Sequence, residues 1–214
     1  MLRTRIKICG LTTEDQAREI AAAGVDAVGL VFYEESPRCV DVETADRICR
    51  AVGPFVSVVG LFVNSDADTV HRILQACSLD ILQFHGDEDA AFCTRFGRPY
   101  LKAIAMRPGI DVAVEVAAHP AARGFLFDTY RPDMRGGTGE SFAWERLPEL
   151  AQPWVLAGGL TPENVGAAIA AVHPPAVDVS GGVEGTPGQK DPVRVRQFVA
   201  AVRAADERVH EEDA

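Results

Sequence analysis

"IKICGLTTEDQAREIAAAG", residues 6–24, reads as one complete strand–loop–helix unit. An apolar run from Ile6 to Cys9 breaks at Gly10. Thr13 then offers a capping oxygen, and Glu14 and Asp15 suit the positive end of a helix. The stretch beyond has helical period and stops at Gly24, a residue type that closes helices in the left-handed region. The same unit recurs down the chain. The strand-like runs are "IKIC", "DAVGLVF", "FVSVVGLFV", "LDILQFH", "YLKAIAM", "GFLFD", "WVLAGG" and "AVDVSGG". Helical stretches separate them, among them "DEDAAFCTRF", "FAWERLPEL" as the sixth, and "TPENVGAAIAAV", which starts on a capping Thr161 with Pro162 at the first helical position. Eight of each alternate, at a mean step of about 27 residues. Strict alternation with crossover-length linkers implies parallel strands. Eight units in 214 residues fit an α/β fold of the (β/α)8 TIM barrel type better than a doubly wound sheet. The expected organisation is a barrel over residues 1–206 with an acidic tail, "ERVHEEDA", over 207–214.

Composition narrows the function. A net charge of −10 with no basic block argues against a nucleic-acid partner. No run approaches the roughly 18 apolar residues of a membrane span, and the start lacks the apolar core of a signal peptide. A cytoplasmic protein without membrane contact is therefore expected. Cys9, Cys39, Cys49, Cys77 and Cys93 are odd in number and form no C-x-x-C, which suits free thiols in a reducing compartment. The histidines lack metal-ligand spacing, so no metal is expected, and no P-loop or G-x-G-x-x-G suggests a nucleotide.

In a barrel of this kind the chemistry lies at the C-terminal strand ends and in the loops after them. Cys9 ends the first run, His85 the fourth and Asp128 the sixth, while Arg38 follows the second in "EESPRCV". Gly158 and Gly159 end the seventh; Ser180, Gly181 and Gly182 end the eighth. Lys7 and Cys9 share one face of their strand, as do Leu126 and Asp128. The large apolar residues between them belong under the helices, so Cys9 and Asp128 should point to the barrel axis. Closing the eighth strand on the first should then bring Lys7 and Asp178 within about 4 Å. Cys9 is, on these grounds, either a small buried filler or a working thiol at the rim. His85 either binds a ligand or finishes its strand. Arg38 is either a solvated charge or a planar fork for a carboxylate. Glycines make tight turns, but two adjacent glycine-rich loops at these strands favour a phosphate held by backbone N–H groups. Lys102 invites a Schiff-base reading that nothing else supports.

Seven ordered segments carry a resemblance: "KICGLT", "VGLVFYEESPRCV", "VGLFVN", "LQFHGDE", "LFDT…GGTGESFAW", "LAGGLTPENV" and "VDVSGGVEGTPGQKD". With these the chain resembles the phosphoribosylanthranilate isomerases of tryptophan biosynthesis over nearly its whole length. The resemblance implies a cofactor-free Amadori rearrangement of a small phosphorylated substrate, N-(5-phosphoribosyl)anthranilate. It makes Asp128 the general acid on the ribose ring oxygen and Cys9, as thiolate, the general base at C2. Arg38 would take the anthranilate carboxylate, and the two glycine loops the phosphate. Gly181 stands where a second serine is usual, which leaves the backbone donors in place. A related histidine-pathway or dual-substrate isomerase would have an aspartate where Cys9 stands, and a non-catalytic phosphate-binding barrel would have no need of Cys9, Asp128 and Arg38 together. For the assigned roles, a thiol of pKa about 8.5 must be lowered, with Lys7 or the helix start at Thr12–Thr13 as candidates. Asp128 must be partly desolvated to keep a proton. The glycine-bearing loop Arg131–Gly139 is a candidate lid whose closure the sequence does not fix, and either a monomer or a homodimer fits.

Overall fold

In a computed structural model of the protein, describing residues 3–129 and 150–212, eight parallel strands pair in sequence order and the last returns to the first. They are β1 (Arg5–Cys9), β2 (Ala27–Val31), β3 (Ser57–Phe62), β4 (Ile81–Phe84), β5 (Tyr100–Ala105), β6 (Gly124–Asp128), β7 (Trp154–Leu156) and β8 (Ala176–Val179). The described helices are α1 (Glu14–Ala22), α2 (Val42–Ala51), α3 (Ala67–Ala76), α4 (Ala90–Cys93), α5 (Val112–Ala117), α6 (Val165–Val172) and α7 (Pro192–Glu212). Nearly all of the sixth helical stretch, "FAWERLPEL", and the candidate lid at Arg131–Gly139 lie outside the described residues. Among the described residues no helix is long and apolar enough to cross a membrane.

Period-two alternation sorts each strand between two cores. Ile6 and Ile8 of β1 sit fully under the helices, whereas Lys7 pairs across the seam with Asp178 of β8. Phe125 and Phe127 of β6 pack outward on Val112 and Val116 of α5, while Leu126 turns inward against Ala103 and Ala157. The barrel interior is thus built from small and polar side chains around an apolar layer, and the bulk of the apolar volume lies outside the sheet.

Helix starts follow their caps. Thr13 accepts from the Gln16 N–H, and Asp41, Asp66 and Asp89 each accept from an N–H three residues on, fixing where α1 to α4 begin. Four expectations change. Thr161–Pro162 does not open α6, because Asn164 Oδ1 takes the Thr161 N–H at 2.8 Å and forms a turn, so the helix begins at Val165. Only one turn of "DEDAAFCTRF" is α-helical, continuing as a 3-10 turn to Phe96. The last helix continues through Glu212, so most of the segment read as a tail is helical. A short antiparallel hairpin, β9 (Glu184–Thr186) with β10 (Gln189–Lys190), also stands where only a glycine loop was expected.

Candidate active site

Cys9 leaves β1 with its sulfur directed over β2, where Gly29 pairs with it in register. A Cβ on Gly29 would lie 2.5 Å from that sulfur, so only glycine leaves room for it. Beneath the thiol, the buried Lys7 ammonium lies 2.9 Å from Asp178 Oδ1, and its charge acts on the sulfur above it. Burial alone would lower the Lys7 pKa; Asp178 and Cys9 outweigh it and keep the ammonium charged. For Cys9 the balance runs the other way. Burial pushes the thiol up, Lys7 and Lys190 pull it down, Asp178 opposes them, and the net shift is upward. The expected lowering by Lys7 is present but does not prevail. Because burial holds the Cys9 thiol above its ordinary pKa, its alkylation by iodoacetamide should keep accelerating above about pH 8.5. Site-resolved mass spectrometry would record this, and a rate already level below pH 8 would contradict the burial effect.

At the mouth, Arg38 crosses over Gly10, whose missing Cβ leaves the space that the Arg38 Cδ occupies. The guanidinium is neither fully solvated nor without a protein partner. Its Nε and Nη2 each donate at 2.8 Å to the two carboxylate oxygens of Glu184. At 13% side-chain exposure an unpaired guanidinium would be costly, and the β9 carboxylate supplies the counter-charge. Lys190 of β10 donates to the same Glu184 at 2.6 Å and to the Ser180 carbonyl at 3.2 Å. Ser180 Oγ donates in turn to the Cys9 carbonyl at 2.9 Å. Burial would raise the Glu184 pKa, but Arg38 and Lys190 hold it below the usual range.

Asp128 ends β6 across the barrel, with Oδ1 accepting from the Thr129 N–H at 2.8 Å. Its Oδ2 lies 3.3 Å from His85 Nε2, and His85 Nδ1 lies 3.1 Å from Gln83 Nε2 on the same face of β4. Lys102 serves this loop as a strut. Its ammonium donates to the Gly86 carbonyl at 2.6 Å and to Glu88 at 3.1 Å, and Glu88 also accepts from the Gly86 and Asn64 N–H groups. That buried network accounts for Lys102 without a Schiff base.

Two cavities share Asp128, Asp178 and Ser180. One, of about 70 Å³, is lined by Cys9, Arg38 and His85 as well. The other, of about 40 Å³, is lined by Gly158, Gly159, Gly181 and Gly182. A Cβ on Gly182 would run into the Leu160 carbonyl, so the two glycine loops pack backbone against backbone. All nine residues picked from the sequence therefore line one or the other of these two neighbouring cavities at the C-terminal end of the barrel. Glu184, Lys190 and Gln83 were missed. Gln83 was within reach, since the alternation that turns Cys9 inward also turns Gln83 and His85 inward. Glu184 and Lys190 carried no such signal, because they act through a hairpin.

The family model of N-(5'phosphoribosyl)anthranilate (PRA) isomerase matches residues 6–201. The N-(5'-phosphoribosyl)anthranilate isomerase of Pseudomonas aeruginosa is 56% identical over 205 residues, covering 95% of this chain and 97% of the relative. Its counterpart in Neisseria gonorrhoeae is 52% identical over 201 residues, with 94% and 97% covered. Among solved structures, phosphoribosyl anthranilate isomerase from Thermotoga maritima superposes with a TM-score of 0.84 at 35% identity, covering 94% of this chain and 99% of that one. Another phosphoribosyl anthranilate isomerase, solved in complex with reduced 1-(o-carboxyphenylamino)-1-deoxyribulose 5-phosphate, gives 0.80 at 33% identity over 94% and 99%. The chain belongs to the N-(5'phosphoribosyl)anthranilate (PRA) isomerase family.

Proposed function

We propose that the protein converts N-(5'-phosphoribosyl)anthranilate to 1-(2-carboxyphenylamino)-1-deoxyribulose 5-phosphate by an acid–base Amadori rearrangement in tryptophan biosynthesis. The observation that carries this reading is one hollow with a carboxyl group, Asp128, on one wall and a thiol, Cys9, on another, beside a glycine-lined cradle. The related structure that holds the reduced product analogue supports the same substrate class. Free cysteines suit a reducing, cytoplasmic setting.

Asp128 gives its proton to the ring oxygen as the C1–O bond breaks, and the nitrogen lone pair forms a protonated Schiff base. Cys9 then removes the C2 proton, and the electron pair flows to the iminium nitrogen to give an enolamine. A proton moves from the C2 hydroxyl to C1, and the ketone results. The raised thiol pKa is compatible with this order. The iminium charge forms next to C2 after ring opening, and a positive charge close to the sulfur favours the thiolate at the step that needs it. The phosphate lies against Gly158, Gly159, Gly181 and Gly182, where close backbone N–H groups suit an anion. Arg38 and Lys190 outnumber Glu184 by one charge at the mouth, which suits the anthranilate carboxylate.

The test is direct: the purified protein is given the substrate and its anthranilate-type fluorescence is followed. Enzyme-dependent loss with formation of the ketose supports the reading, and no turnover removes it. Gly29→Ala should lower turnover by about a hundredfold, the scale expected when a reacting atom moves by about 1 Å, because the added methyl displaces the sulfur. A variant melting near the parent temperature with unchanged kcat would show that the sulfur position is immaterial.

A further inference from the structure

Gln83 is buried and polar inside the barrel, and its Oε1 is a buried side-chain oxygen with no hydrogen-bond partner among the described residues. Its Nε2, on the other branch of the same amide, meets His85 Nδ1 at 3.1 Å, and His85 Nε2 meets Asp128 Oδ2 at 3.3 Å. Gln83, His85 and Asp128 thus form a line from the barrel interior to the hollow. Turning the amide would set Oε1, which has no partner where it stands, against the imidazole Nδ1 in place of Nε2. In one orientation it donates to a bare Nδ1, and His85 is then neutral with its proton on Nε2, facing a carboxylate. In the other it accepts from Nδ1–H, and the ring can carry protons on both nitrogens. An amide can do both; a carboxylate or a thioether cannot.

We propose that Gln83 and His85 are positioning residues that form a proton relay behind Asp128, with the Gln83 amide turned so that Oε1 holds the His85 Nδ1–H while the relay works. The proposal rests on the isomerase reading above and deepens it. As Asp128 passes its proton to the ring oxygen, the His85 Nε2 proton moves onto Asp128 Oδ2. The imidazole is left neutral, with Nδ1–H held by Gln83 Oε1. His85 takes a proton back from water, and Cys9 releases to water the one it drew from C2, so the cycle closes with no net proton change. The other charged groups around the pair are Asp178 of β8, Lys7 and Cys9 of β1, Arg38 at the mouth, and the Lys102–Glu88 strut under the loop. Lys7 neutralises Asp178 and Glu88 neutralises Lys102, which leaves Gln83 as the group in direct contact with Nδ1.

The experiment titrates the His85 imidazole by nitrogen-resolved NMR in the parent, Gln83→Glu and Gln83→Met, and measures kcat and KM on the phosphoribosyl substrate. Gln83→Glu fixes an acceptor at Nδ1 and should raise the His85 midpoint; Gln83→Met removes the acceptor and should lower it. Both should lower kcat at least about tenfold, part of the two to four decades a positioned acid supplies, with KM changed less than about threefold. His85→Asn should show the same split. A His85 midpoint unmoved by both Gln83 variants, or full kcat in Gln83→Met, would overturn the relay. A rise in KM alone would make His85 a binding group and overturn it too. If instead the parent itself fails to turn over the substrate, the isomerase reading fails, and the two failures are told apart.

Discussion

Asp128→Asn and Cys9→Ala are each expected to cut turnover at least about a hundredfold, the lower end of what one positioned acid or base contributes. Asparagine keeps the size of Asp128 and an oxygen to accept from the Thr129 N–H, a contact of 2.8 Å that anchors the side chain. It has no acidic proton, so ring opening loses its donor while the loop keeps its shape. Alanine at Cys9 removes a single sulfur from a site where Gly29 already leaves little space, so the void is small and the barrel closes around it. Both variants should therefore melt close to the parent while failing the fluorescence assay. Activity within a few-fold of the parent in either variant would remove that residue from the chemistry.

What the sequence revealed divides by the distance over which each signal acts. β6 was legible to its last residue because "GFLFD" alternates cleanly and ends in a charge. The Lys7–Asp178 contact was legible across 171 positions because barrel closure and side-chain parity together leave those two charges no other place. Arg38 was located but not its partner. The Glu184 contact spans 146 positions and depends on a hairpin with no alternating apolar pattern to announce it. The start of α6 was misplaced because Thr161–Pro162 has the form of a cap, whereas the Asn164 side chain bonds both the Thr161 N–H and the Gly159 carbonyl and shapes a glycine loop instead. The upward shift of the Cys9 thiol was out of reach for a different reason. Neighbouring charges can be counted in a sequence, but burial is a property of the closed barrel, and burial decides this balance.

The barrel interior sets the second large effect. Lys7→Met should destabilise the protein by about 3–5 kcal/mol, because it leaves the Asp178 carboxylate charged, buried and without its 2.9 Å partner. For a domain of this length that corresponds to a melting point lower by roughly 6–20 °C. Adding Asp178→Leu to Lys7→Met should restore most of the loss, since an apolar pair of similar volume avoids the desolvation cost of both charges. Activity should not return with stability. Without the Lys7 ammonium one of the two cations pulling the Cys9 pKa down is gone, so the thiolate becomes harder to form at the moment C2 is to be deprotonated. Calorimetric melts of the parent, single and double variants, read beside their kcat values, separate the two roles of the pair. A single variant as stable as the parent would mean the ion pair contributes nothing to the fold, and a single variant with parental kcat well below its melting point would mean Lys7 does nothing for the thiol.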